Sequence, residues 1–303
     1  MSLTSFLDMP DVIAKVKPLR PKLPRTIATS LKVEARSNRY MLVGTAFDYL
    51  LRFELQRRAP HAVSERWIAE YVPNLIWKET GDGGVGLDLF HDTAPQDYMS
   101  PKEIAEHAKR IITDAKAAVS AYVKNKAPTQ ATQTDLAAHT IRLAKLDSAY
   151  RVMRLDPRFE EVDPEDVKDL IEMLAIVPFD QLLNPKLMLL NPDFKEASRL
   201  VGGADTDLIA GDLLVDFKTK AKSDMKAGDL DQLLGYLLLA RKQRQVDSAF
   251  PIINRLGLYY CRHGHLWSTQ VSVWTDRPEF LEIEQWFFRR AEEVFGASRK
   301  IGK

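Results

Sequence analysis

The stretch GADTDLIAGDLLVDFKTK, Gly203 to Lys220, constrains the fold more tightly than any other part of the chain. Two apolar runs flank Gly211-Asp212, a pair suited to a two-residue hairpin turn. Closing the turn there sets Ala210 against Leu213, Ile209 against Leu214, Leu208 against Val215 and Asp207 against Asp216. Side chains alternate along a strand, so this register also sorts the faces. One face carries Thr206, Leu208, Ala210, Leu213, Val215 and Phe217, an apolar surface for a core. The other carries Ile209 and Leu214 near the turn, then Asp207 opposite Asp216, and beyond them Asp205 opposite Lys218. Directly opposed residues have Cβ atoms about 4.5–5.5 Å apart, and like charges so placed destabilise the pair. A divalent cation converts that penalty into binding energy. Mg2+ favours oxygen donors, typically one or two carboxylates with waters and a substrate phosphate. The bland alternative is a solvated hairpin edge in which Asp205 pairs with Lys218 and the acids keep the sheet soluble.

The segment that follows, DLDQLLGYLLLARKQR, reads as a helix. Gln232 and Tyr236 stand four residues apart on one face, and Leu233, Leu234, Leu237 and Leu238 form its buried stripe. Gly235 inside a helix costs about 1 kcal/mol relative to alanine, which points to close approach of another backbone. The ordered set Asp207, turn, Asp216-Phe217-Lys218, Gln232-x-x-x-Tyr236 resembles the PD-(D/E)xK nuclease superfamily. Within it, the set resembles the RecB-like branch, which carries a Gln-x-x-x-Tyr helix after its Asp/Glu-x-Lys strand. The resemblance implies an α/β (α+β) fold with a restriction-endonuclease-like core, a central mixed sheet flanked by helices. It implies hydrolysis of DNA phosphodiester bonds with Mg2+ or Mn2+, exonuclease-like, in phage or bacterial DNA processing, recombination, repair or defence. Carried over by position, Asp207 and Asp216 are metal ligands, the Phe217 carbonyl is a backbone ligand, and Lys218 positions or activates water. Gln232 and Tyr236 hold DNA or orient the site. The branch also has an upstream Gly-x-x-x-His, which Gly44 to Asp48 match in spacing with aspartate in place of histidine. Aspartate also coordinates metal, so Asp48 is a candidate ligand; without the family it reads as a charged residue on a helix surface. Glu54 and Glu196 are weaker candidates for a further carboxylate.

Phosphodiester hydrolysis needs an activated water and relief of the charge that builds on the phosphate oxygens, and a carboxylate-held metal supplies both. A lysine beside it adds electrostatic stabilisation. Lys220, Lys222 and Lys226, with Arg241, Lys242 and Arg244 at the end of the next helix, are candidate phosphate contacts, which position a strand without reading its sequence. The alternative function is a non-catalytic DNA- or partner-binding module on a degenerate nuclease scaffold. A structural interaction protein is a third reading, opposed by the facing aspartates.

The rest of the chain frames this core. Of its 303 residues 45% are hydrophobic, enough for a substantial core, and 43 Lys+Arg against 42 Asp+Glu leave a formal charge of +1, so any basic surface is local. There is no signal-peptide core or bilayer-length apolar run, and the single Cys261 makes no internal disulfide; a cytoplasmic protein is expected. A single nuclease-type domain is expected over residues 1–303. Residues 1–30 read as an extended arm, rich in proline and lysine, and helices are expected over SNRYMLVGTAFDYLLRFELQRR and VSERWIAEYV. Residues 95–178 read as a helical elaboration that starts at Ser100, Pro101 and Glu103. The sheet core spans 197–275 and a closing amphipathic helix 277–298. Gly81-x-Gly83-x-x-Gly86 fits a dinucleotide fingerprint in letters only, because a proline loop rather than a helix follows it. His263 and His265 lack a third ligand by spacing and read as a surface turn.

Overall fold

The computed structural model describes residues 2–22, 27, 29–79, 101–152 and 154–301. Its centre is a mixed sheet of β1 (Val63–Ser64), β2 (Met188–Leu190), β3 (Leu208–Ala210), β4 (Leu213–Lys218), β5 (Arg255–Tyr260) and β6 (His265–Gln270), in that spatial order. The β1–β2 and β4–β5 pairs are parallel and the others antiparallel. The hairpin closes in the expected register, with Leu208, Ile209 and Ala210 opposite Val215, Leu214 and Leu213.

The ladder stops short of Asp207. Its carbonyl accepts the Asn191 amide at 2.9 Å and its carboxylate accepts the Phe217 amide at 2.5 Å, so the side chain takes the place of a main-chain rung. Asp205 bridges Asp193 instead of facing Lys218, which corrects the outer rungs of the expected register.

Twelve helices surround the sheet among the described residues: α1 (Leu3–Leu7), α2 (Pro10–Val16), α3 (Tyr40–Arg58), α4 (Val72–Glu79), α5 (Pro101–Lys124), α6 (Gln130–Val152), α7 (Pro164–Ala175), α8 (Phe179–Leu182), α9 (Lys195–Leu200), α10 (Ala227–Val246), α11 (Ser272–Thr275) and α12 (Phe280–Ile301). The strand alternation splits the interior in two. Leu208, Ala210, Leu213 and Val215 face a core shared with α3, α5, α6 and α7. Ile209, Leu214, Leu256 and Leu258 face a second core built with α10, α12 and the N-terminal helices. Pro101 opens α5 and Glu103 lies in its first turn, as expected, while Ser100 and the Gly81 to Gly86 motif lie outside the described residues.

Several expectations need correction. Residues 1–30 contain no extended arm through Leu19: α1, α2 and a 3-10 turn over Lys17–Leu19 bury Leu3, Phe6, Leu7, Val12, Val16 and Leu19. Pro10 and Pro18 sit in the first turns of these elements, where a missing N–H costs nothing. Phe6 packs edge-on against Phe287 and Phe295 of α12 at 5.1 and 5.8 Å between ring centres. A Cβ at Gly235 would lie 3.1 and 3.2 Å from the Leu3 and Leu7 methyls, so the close approach there is of side chains and not of a backbone. VSERWIAEYV splits into β1, a 3-10 turn over Ile68–Tyr71 and the start of α4, because Val63 and Ser64 pair with Leu189 and Leu190. The sheet therefore reaches back beyond residue 197 to β2 and β1. Trp274, within the span 197–275 expected as sheet core, is buried in α11.

Candidate active site

β4 lies inside the sheet between β3 and β5, and its last residues carry the Asp-x-Lys pair to the sheet edge where the chain exits. The exit is clamped. The Thr219 carbonyl accepts from Arg262 at 2.9 Å, and Arg262 is held by both oxygens of Asp169 on α7 at 2.6 and 2.8 Å, with both partners almost fully buried. α3 presses against the same point through Gly44, where a Cβ would stand 2.8 Å from the Thr219 hydroxyl. One turn further along α3, Asp48 enters the electrostatic field of Asp207.

Lys218 is surrounded by oxygen. Its Nζ lies 2.7 Å from Asp216 Oδ2 and 3.5 Å from Asp229 Oδ1, and it donates to Gln232 Oε1 at 2.9 Å. Gln232 passes the chain on, donating to the Tyr236 hydroxyl at 2.7 Å, and that hydroxyl makes a long 3.5 Å contact back to Asp216 Oδ1. The i, i+4 pair on α10 thus closes a ring through the Asp-x-Lys strand. Burial works against the Lys218 charge, but Asp216 and then Asp229 outweigh it and hold the ammonium above its ordinary pKa. Tyr236, buried and facing Asp216 and Asp207, keeps its proton far above the usual phenol range.

Asp207 is the opposite case. Burial, then the charges of Asp48 and Asp216, push its carboxyl well above the ordinary carboxylate range, and the Phe217 amide only partly offsets them. Asp48 is likewise raised, chiefly by burial, although it is ion-paired with Arg52 one turn on. Arg52 is 4% exposed, and it also donates to Asn191 Oδ1 at 3.1 Å. Two carboxyls that resist ionisation therefore sit beside a site whose other acid is neutralised by a lysine.

The family model described as the PD-(D/E)XK nuclease superfamily matches residues 51–301. The chain belongs to this superfamily. No curated protein and no solved structure matches it. Its six-stranded mixed sheet with helices on both faces is the restriction-endonuclease-like α/β core of the superfamily, and α5, α6 and α7 are the helical elaboration. Gly44 and Asp48 precede the matched region.

The donors of this nuclease-superfamily site suit a hard cation. Asp207 and Asp216 offer carboxylates, Phe217 a carbonyl, and one oxygen of Asp48, Oδ1, is buried without a hydrogen-bond partner. Asp216 Oδ2 also lacks a well-aligned hydrogen bond, so its contact with Lys218 is chiefly Coulombic. Among the described residues no group of three or more His, Cys, Asp or Glu side chains is placed to hold a metal ion, so Asp207 and Asp216 are the carboxylate pair open to one.

Other expected residues fall elsewhere. Lys220 is turned to the Asp229 carboxylate at 2.9 Å and the Asp224 carbonyl, while Lys222 and Lys226 are exposed. Arg241 pairs with Glu284 at 2.7 Å, Arg244 donates to the Ser248 and Phe250 carbonyls at 3.0 and 2.5 Å, and Lys242 lies 5.4 Å from the Phe288 ring. Those three lie toward the far end of α10. Glu54 is buried among Arg57, Arg58 and Tyr122 at 2.6 to 2.7 Å, and Glu196 is an exposed partner of Arg199; neither joins the acids. His263 is buried and not on a surface turn, because left-handed Gly264 packs against the Ile176 carbonyl. Burial lowers its pKa. Sequence reasoning missed Arg52, Asn191 and Asp229. Arg52 stands four residues after Asp48 and Asp229 three before Gln232, spacings that place each on its neighbour's helix face. No local pattern marks Asn191. No helix among the described residues is long and apolar enough to cross a membrane.

Proposed function

We propose that the chain is a divalent-metal-dependent deoxyribonuclease of the RecB-like branch, exonuclease-like, serving phage or bacterial DNA processing, recombination, repair or defence in the cytoplasm. The observation that carries this reading is the closed ring of Asp216, Lys218, Gln232 and Tyr236 beside a carboxyl, Asp207, whose charge is unfavourable until a cation arrives. Asp207, Asp216 and the Phe217 carbonyl hold Mg2+ or Mn2+, with Asp48 as the additional ligand. The bound ion supplies an activated water and charge relief at the phosphate. Lys218 adds a cation, held above its ordinary pKa in the metal-free protein by Asp216 and Asp229 against the effect of burial, that stabilises negative charge and positions or activates water. Gln232 and Tyr236 fix the Lys218 and Asp216 side chains and contact the DNA. Lys222 supplies a phosphate contact from the loop after β4, joined by Lys220 once it leaves Asp229.

A second reading, a DNA- or partner-binding module without catalysis, is favoured by one observation: Arg52 already neutralises Asp48. Cleavage of labelled linear and circular DNA, single and double stranded, in Mg2+, Mn2+ or EDTA separates the two. The nuclease reading expects metal-dependent cutting that Asp216→Ala abolishes while the fold survives; cutting by that variant at the parental rate sinks it. DNA held equally well in EDTA and never shortened selects the binding module.

A further inference from the structure

An open cleft of about 700 Å3 adjoins the acidic strand ends, and Asn191 and Asp205 belong to its wall. Asn191 joins it to the site directly, through its amide on the Asp207 carbonyl at 2.9 Å and its side chain on Arg52 at 3.1 Å. Across the cleft stand Tyr71 and Tyr150, 38% and 40% exposed, with ring centres 5.8 Å apart. The two ring planes are tilted by 41°, and the Arg66 guanidinium, paired with Glu70 at 3.4 Å, lies over Tyr71 at 4.4 Å from the ring centre. Arg151 follows Tyr150 on α6. Its side chain is 55% exposed, it is anchored to Asp147 at 2.5 Å, and it lines this cleft and a second one of about 680 Å3 toward the start of α3.

Other aromatic pairs among the described residues, such as Phe6 with Phe287, pack in or against the two cores. Tyr71 and Tyr150 instead leave part of their rings exposed in an open cleft. Aromatic and guanidinium planes of this kind bind nucleobases whatever the sequence, because every base has a π face. In a duplex those faces are covered by neighbouring pairs, so the platform fits unpaired bases. The near-neutral wall, where Lys195 engages Glu65 and Asp193 at 2.5 and 3.0 Å, is also poor at gripping a duplex by charge alone.

We propose that Arg66, Tyr71 and Tyr150 form a stacking platform for unpaired bases, with Arg151 on their phosphates, so that a single DNA strand reaches the acidic centre through this cleft. This rests on the nuclease reading above. The test is fluorescence anisotropy in EDTA, where nothing is cut, with an oligothymidine of about 12 nucleotides, a length in the roughly 4–16 nucleotide range of single-strand sites, and a blunt duplex of equal length. The strand is expected to bind more tightly than the duplex. Tyr71→Ala and Tyr150→Ala are each expected to weaken strand binding about tenfold, Tyr150→Trp to retain it, and Leu281→Ala, an exposed residue on α12, to leave it unchanged. Strand affinity untouched by Tyr150→Ala, equal losses for strand and duplex, or failure of Tyr150→Trp to restore binding overturns the platform. Tighter binding of the matching oligouridine overturns the assignment to DNA. Because binding is read without metal, a protein that binds in this pattern yet cuts nothing in the separate Mg2+ or Mn2+ cleavage assay refutes the nuclease reading and leaves the platform standing.

Discussion

Replacing Lys218 with methionine keeps most of the side chain's volume and deletes its charge. Asp216, 8% exposed, then loses its cation, while Asp229, 12% exposed, keeps Lys220 at 2.9 Å. Removing one partner of a fully buried ion pair costs about 3–5 kcal/mol. Lys218 keeps 18% exposure, which places the loss at the low end, about 3 kcal/mol. At about 2–4 °C per kcal/mol for chains approaching this size, Tm should fall by about 6–12 °C in EDTA. A divalent cation at a hundred times its Kd returns about 2.7 kcal/mol by mass action. Mg2+ should therefore raise the variant's Tm by more than the native protein's, since in the native protein Lys218 already neutralises Asp216. Cleavage stays lost in either buffer. Thermal melts followed by circular dichroism, with and without Mg2+, check this. Equal melting of variant and native protein in EDTA would refute the claim that Lys218 is the internal counter-ion, and a drop that Mg2+ fails to reverse would remove Asp216 from the metal site.

Asp207→Asn should stabilise the metal-free protein at neutral pH, because the folded-state pKa of Asp207 is raised. The group contributes nothing below its unfolded value, where both states are protonated, and the native protein loses stability relative to the variant as pH rises through the raised pKa. Urea unfolding in EDTA across acid to neutral pH should show the gap opening upward, and Mg2+ should close it by stabilising the native protein alone. Gly44→Ala should reduce cleavage, because the new methyl meets the Thr219 hydroxyl 2.8 Å away and pushes α3 from the β4 exit. Adding Thr219→Ala should restore much of the rate, a coupling that kinetics of the two single variants and the pair will measure.

The hairpin register was legible because its turn and its apolar alternation agree, and Leu208 to Val215 pair as the letters require. The Gln232 and Tyr236 pairing was legible for the same reason, since helical spacing alone puts them on one face. What was not legible depends on segments far apart in the chain. Asp207 leaves the ladder because Asn191 and the Phe217 amide capture it, and neither capture is visible in period or composition. β1 and β2 were hidden because two or three residues leave no period to read. The first two helices were hidden because their prolines resemble those of an extended arm, while the partners that bury Leu3 and Phe6 are on α10 and α12.

The last of these contacts bears on how the protein is made. Phe6 finds its ring partners about 280 residues later, on the helix that leaves the ribosome last among the described elements. At roughly 5–20 residues per second, α1 waits about 15–60 s during synthesis before its site exists. Until then α1 lacks the aromatic partners that hold it against α10 at Gly235. α10, which carries Gln232 and Tyr236, is thus fully braced only when the final helix docks.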